Sequence, residues 1–327
     1  MPSLRDPKDG AAGSQSKPPE YSPRELRRII LRQGQVAEGL MKPDTRYGAF
    51  VVARVFLPFF AAFAFAPPLF DRFGPGAILF VYFVVGIYGY KMSFVMHDAS
   101  HDSLFASSVL NRFFGRMAGL LVGVPFDTYK ATHISHHRAN GRRDDIDLGE
   151  YTGFDRMSRW ERFWHLASPL IGGRLINFLR NHISANDRSG AGSQRPDYRF
   201  LAKVALLQAA LAVVVTDFGR LPLLALTYPA AAMTISLFLG RLRTVAEHAG
   251  GAGYDDFARS HAPRFFDRAI LYDANFNYHY EHHVLPQVPS CHLSALRREY
   301  CGTEDKVHFR PHGMLTTLVT LVRDGRA

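Results

Sequence analysis

The 327-residue chain carries 39 Lys and Arg against 29 Asp and Glu, a formal charge of +10, and 47% of it is hydrophobic. Its two cysteines, Cys291 and Cys301, are too few for a disulfide framework or for an iron–sulfur cluster, which takes four, and read as reduced thiols. The basic excess raises the question of nucleic acid, but no basic cluster interleaved with aromatics and no nucleic-acid-binding motif is present, so nucleic acid is not an expected partner.

In chain order, residues 1–28 are rich in Pro, Ser, Lys and Arg and read as a mobile tail. No apolar core follows a basic start, so no cleavable signal peptide is expected. The body is expected over 29–312, with a C-terminal tail at 313–327. Within it, "YGAFVVARVFLPFFAAFAFAPPLF" and "PGAILFVYFVVGIYGYKMSFVM" stand back to back, and a second pair, "FLAKVALLQAALAVVVTDF" and "LPLLALTYPAAAMTISLFLG", comes much later. Each is close to the roughly 20 residues that cross a bilayer as a helix. They predict transmembrane helices over about 48–70, 75–96, 200–218 and 221–240, joined by short linkers into two hairpins. Arg54 and Lys203 lie near tract ends, where long side chains snorkel. The shorter stretches 113–126 and 163–173 read as interfacial or re-entrant helices.

Residues 97–199 carry fourteen Lys and Arg, whereas the hairpin tips carry only Arg72 and Arg220. The positive-inside bias places both termini and the long middle loop in the cytoplasm. The expected fold is therefore an all-α integral membrane protein of four transmembrane helices with a cytoplasmic helical cap.

Three windows fall on that cytoplasmic side: "HDASH" (97–101), "HISHH" (133–137) and "HYEHH" (279–283). Together they hold eight of the fifteen histidines. Positions i, i+3 and i+4 share a helix face, so His97 and His101, then His133, His136 and His137, then His279, His282 and His283 each aim at one point. Metal binding is the ordinary use of such neutral imidazoles. His248, just past the fourth tract, is a ninth candidate. His165, His182, His261, His292, His308 and His312 lack this spacing and read as satisfied polar residues.

A structural zinc site closes with four ligands, so eight or nine imidazoles point to two ions, a dinuclear site in the cap. Imidazole suits zinc, copper, iron and nickel alike, and ligand type leaves the choice open. At the ends of apolar helices, zinc would suit hydrolysis of a lipid, whereas a di-iron pair with dioxygen would suit oxidation of an unactivated C–H bond. Ligating imidazoles commonly donate their other N–H to a carboxylate. Candidates for that role are Asp98, Asp102, Asp144, Asp145, Asp147, Glu247 and Glu281, although "GRRDDID" reads equally well as a charged turn.

In this order, with a transmembrane pair between the second and third, the windows resemble the integral-membrane fatty acid desaturase superfamily. "NYHYEHHVLPQVP" (277–289) is similar to the third box of that family, and the resemblance covers about 45–300. It implies four transmembrane helices beneath a cytoplasmic cap. It also implies two iron ions held by His97, His101, His133, His136, His137, His248, His279, His282 and His283, with dioxygen as co-substrate. Some members use an asparagine, through water, four residues before the His248 equivalent; here that position is Thr244. The implied reaction is desaturation of a long acyl chain in a thioester or membrane lipid. Hydroxylases and carotenoid ketolases with similar boxes belong to the same superfamily and differ in the step after hydrogen abstraction. No fused electron-carrier domain is expected from the sequence, so electrons are expected from a separate ferredoxin or b-type cytochrome. A basic cap favours an acidic one.

Overall fold

The computed structural model describes residues 21–32, 37–173, 197–215, 224–250, 257–301 and 308–326. Residues 1–20, His182, Arg220 and the junction of the third and fourth tracts lie outside these. Helix α1 (Pro23–Arg32) opens the described chain. The first apolar tract forms α2 (Thr45–Ala64), started by Asp44, whose side chain accepts from the amides of Arg46 and Tyr47. A short α3 (Ala66–Phe73) ends at Gly74, whose φ of +61° suits glycine. The second tract forms the 25-residue α4 (Gly76–Ser100), which runs without a break into the first histidine window.

Both α2 and α4 are long and apolar enough to cross a membrane, yet only about half of each packs inside the protein. Several of the remaining side chains are bare hydrocarbon, such as Leu57 at 68% and Leu79 at 58% exposure, as expected of helices solvated by lipid. Helices α5 (Ser108–Val122) and α6 (Phe126–Ala139) come next, then α7 (Arg159–Ala167). Trp160, Phe163 and Trp164 are exposed on α7, a pattern suited to a headgroup-level interface.

The third apolar tract forms α8 (Tyr198–Val215). The fourth is continuous but irregular: α9 (Leu224–Ala231) passes through a π turn, Ala232–Ser236, into α10 (Leu237–His248). The π turn locks onto α4. Tyr82 and Thr234 share a hydroxyl hydrogen bond of 2.5 Å, and Ser236 donates to the Gly86 carbonyl at 2.7 Å. A side chain at Gly86 would collide with Ile235, so the close crossing needs glycine there. This packing sets His97 and His248, at the ends of their helices, toward the same polar layer. That layer adds a short parallel pair, β1 (Ser260–His261) with β2 (Phe309–Arg310), then α11 (His279–Val284).

Two expected boundaries are corrected. Residues 313–327 are not a tail: α12 (Met314–Asp324) buries Met314, Leu318 and Leu321 against Val245, Leu271 and Tyr272. Its apolar residues recur at helical spacing, and that burial holds it down. At the other end, residues 23–28 belong to α1, which packs Leu26 and Ile30 on Tyr280, Val284 and Leu285.

Candidate metal centre

Four helices deliver the histidines. His97 lies in the last turn of α4 and His101 caps it. His133, His136 and His137 lie along α6, His248 ends α10, and α11 supplies His279, His282 and His283. The loop before α11 is held tightly. Ala274 and Asn275 take left-handed φ values of +49° and +63°, a conformation alanine adopts only under surrounding support. Asp273 supplies it, accepting an ion pair from Lys91 of α4 at 3.1 Å and another from Arg54 of α2 at 3.2 Å. Arg54, expected to snorkel, thus ends on a carboxylate. Phe276, next along, packs against Phe94 and His97.

The nine imidazoles converge into two groups. His97, His101, His133, His137 and His282 place ring nitrogens within 4.8 Å of one another, as do His136, His248 and His283. His279 joins the second group, its Nε2 lying 2.9 Å from that of His248. Neighbours in sequence divide between groups: His136 from His137, and His282 from His283. The rings of His137 and His283 are 4.4 Å apart, so the groups abut.

The second group is braced from outside. His136 donates from Nδ1 to Asp145 at 2.8 Å, and Asp147 lies 3.7 Å from the same nitrogen. His248 donates from Nδ1 to the Phe257 carbonyl at 3.0 Å. Glu247 is 3.5 Å from Nδ1 of His279, and the Asn140 amide is 3.4 Å from Nδ1 of His283. In the first group, only His97 has a carboxylate of this kind, Asp98 at 3.3 Å, which in turn accepts from Ser290. Its other rings meet one another instead, His137 lying 3.1 Å from His133 and 3.0 Å from His282 between Nε2 atoms.

Burial sets the electrostatics. It lowers His248 to about 3, with the nearby His136 adding to the effect. Burial first, then mutual proximity, pushes His133, His137, His279, His282 and His283 well below the ordinary imidazole range. These rings are neutral at physiological pH, the form that binds a cation. Burial alone would raise the Asp145 carboxyl, but hydrogen bonds from His136, Tyr151 and the Asp147 amide hold it well below the usual range. Glu247 moves to about 7 through burial, which the adjacent Arg243 only partly offsets.

These residues fit a pair of cations. Nε2 of His97, His101 and His283 and Nδ1 of His137 and His279 are buried without a hydrogen-bond partner, a costly state for polar atoms unless something else binds them. Neutral imidazoles with nitrogens about 3 Å apart have the spacing of neighbours on one ion, given metal–nitrogen bonds of about 2.1 Å.

Three of the acids expected to orient imidazoles do something else. Asp102 turns to Lys130 at 2.7 Å, Asp144 is exposed, and Glu281 is consumed by Arg297 and Ser260. A side chain between two histidines on a short helix points away from both, which is why Glu281 faces outward. The other histidines sit apart: His165 on the Glu150 carbonyl, His261 between Tyr272 and Thr317, and His308 on the Ala258 carbonyl. His292 and His312 belong to neither group. Sequence reasoning did not single out Asn140, Tyr151, Arg243 or Ser290. Only Arg243 left a signal, standing four residues before Glu247 with their side chains 2.9 Å apart. Thr244 lines a cavity with His248 and forms part of its wall.

Long apolar helices ending in two abutting histidine groups make a helical protein whose side chains are clustered as metal ligands would be. A sequence profile described as "Fatty acid desaturase" matches residues 73–311. The chain is also 25% identical over 279 residues to the sphingolipid delta(4)-desaturase DES1 of Bos taurus, covering 83% of this chain and 79% of that one. It is 27% identical over 280 residues to the DES1 of Xenopus tropicalis, with the same coverage. It is 26% identical over 226 residues to the sphingolipid delta(4)-desaturase/C4-monooxygenase DES2 of Rattus norvegicus, covering 67% of this chain and 64% of that one. The chain belongs to the fatty acid desaturase family and is an oxidoreductase.

Proposed function

We propose that this protein introduces a double bond into a long saturated chain of a membrane lipid, using two iron ions held by the nine histidines. The observation that carries the reading is the convergence of two histidine groups, with unpartnered buried nitrogens, at the ends of lipid-facing helices. A cavity of about 320 Å³ opens onto both groups, lined by His97, His133, His136, His248 and His279. Its remaining wall includes Gly89, Val122, Leu237 and Gly240, small or apolar residues that leave room for a hydrocarbon chain. The names of the relatives make a sphingolipid the first substrate to test.

When bound, the iron pair supplies the dioxygen chemistry that removes hydrogen from an unactivated C–H bond. The reaction balances as –CH2–CH2– + O2 + 2 e⁻ + 2 H⁺ giving –CH=CH– and two waters. The chain's own residues orient the imidazoles, keep them unprotonated and exclude bulk water. Asp145, Glu247 and the Phe257 carbonyl hold ring planes, while Leu237 and Val122 shield the cavity. The hydrolase alternative gains nothing from the relatives, whose names describe oxidations. One relative is also named a C4-monooxygenase, so hydroxylation, with one oxygen gained and one water released, is the second product to score.

Arginine placement supports four spans with both termini and the site on the cytoplasmic side. The two electrons come in this reading from a separate ferredoxin or b-type cytochrome. The test is expression in a host of known lipid composition with a matching reductant, followed by mass spectrometry of lipids. Loss of two hydrogens supports the proposal. An unchanged lipid profile in protein carrying about two irons per chain after anaerobic purification overturns it.

A further inference from the structure

The geometry points to a groove between α5, the start of α6 and the start of α8 as a binding site for an anionic phospholipid of the surrounding leaflet. The groove has a volume of about 720 Å³. Its floor is apolar, with Phe113, Met117 and Phe126, and its rim carries Arg112, Arg116, Arg199 and Lys203. Two acids also face it, and both are engaged. Asp127 pairs with Arg116 at 3.0 Å, and Asp197 accepts from the Arg199 and Phe200 amides at 3.1 and 3.0 Å as the N-terminal cap of α8. Among the described residues, Arg112, Arg199 and Lys203 have no carboxylate partner.

The choice of occupant rests on charge and depth. α8 passes from its cationic start straight into an apolar helix, so its first turn sits at the boundary between water and hydrocarbon. On α5, Val109 and Phe113 are bare beside the arginines, at 64% and 54% exposure. A phosphate among guanidinium and ammonium groups, with its acyl chains laid over Phe113, satisfies both halves of the groove. A soluble anion would leave the apolar half bare, and so would the carboxylates of an acidic protein surface. Phe126 of the floor is the first residue of α6, so an occupant presses on the helix that carries His133, His136 and His137. The site does not depend on the desaturase reading.

The test uses the full chain in detergent, titrated with phosphatidylglycerol or phosphatidylcholine, with retained lipid read by native mass spectrometry. Wild type should retain phosphatidylglycerol preferentially. Arg112→Gln, Arg199→Gln and Lys203→Gln together should weaken it by about fivefold for each cation neutralised. A charge-matched control at Arg156, Arg159 and Arg298, all exposed elsewhere, should change it less than about twofold. Phe113→Ala, which keeps every charge, should also weaken retention, and it decides the matter if the triple variant misfolds. Equal retention of the two lipids, equal loss in the control, or displacement by inorganic phosphate or by poly-glutamate would each overturn the proposal. Displacement by poly-glutamate would assign the groove to an acidic protein partner instead.

Discussion

The two histidine groups share α6 and α11, with α4 completing the first and α10 the second, and they are held in different ways. In the second, three rings of four have an outside hydrogen-bond partner, Asp145 for His136, a carbonyl for His248 and Asn140 for His283, and Glu247 lies 3.5 Å from His279. The rings of His136, His248 and His283 are fully buried. In the first, Asp98 braces one ring of five, three are only partly buried, and nitrogens face one another across about 3 Å. One site is preset by its surroundings. The other takes its final shape from what it binds. Braced ligands lose less freedom on binding, so the second group should hold its metal more tightly.

The strongest check removes a ligand from each side. His136→Ala and His282→Ala should each reduce turnover by more than about 100-fold, the upper end for deleting a mere supporting partner. Survival of activity in either would remove that group from the reaction. Next, Asp145→Asn should cost about 10- to 100-fold in metal affinity and lower the content from two ions toward one. Asp98→Asn should do less; equal losses would erase the distinction between the groups. A chelator should strip the two ions in two phases, the faster belonging to the partly exposed group, and a single phase counts against the comparison.

Acid should act on the metal-free protein with a definite sign. His248 titrates at about 3 when folded against 6.5 when unfolded, so the unfolded chain binds more protons between those values. Its contribution is complete above pH 6.5 and declines as pH falls toward 3. From pH 7 to pH 5 this ring alone accounts for about 2 kcal/mol. Thermal unfolding in detergent at both values measures it, and a flat profile would show that the ring is not buried. The smallest effect belongs to His312→Ala, outside both groups, which should stay within about twofold of wild-type turnover.

The histidine windows were legible because helical spacing and metal chemistry demand the same pattern, and all nine rings meet. The first two apolar tracts, which form α2 and α4, were equally plain. Other features depended on tertiary context. The C-terminal segment read as a tail because its eleven-residue helix has no stabilising partner until Val245 and Tyr272 are folded beneath it. Glu281 sat inside a histidine window but points to Arg297, since a helix turns each neighbour by about 100°. Tyr151 and Asn140 carried no local signature at all. Tyr151 reaches Asp145 across a turn that only the folded chain forms, and Asn140 reaches His283 across 143 positions. Lys91, alone in an apolar run, meets its counter-charge on Asp273, 182 positions away, a pairing that only the folded chain makes.

His136 and His137, like His282 and His283, send consecutive side chains to opposite groups. A single peptide unit on each of two helices would therefore act as the ruler between two bound ions, and backbone pitch would limit how far apart they could sit. Inserting one residue upstream of His133 in α6 would swing both rings together, so neither ion could be dislodged in that way without disturbing its twin.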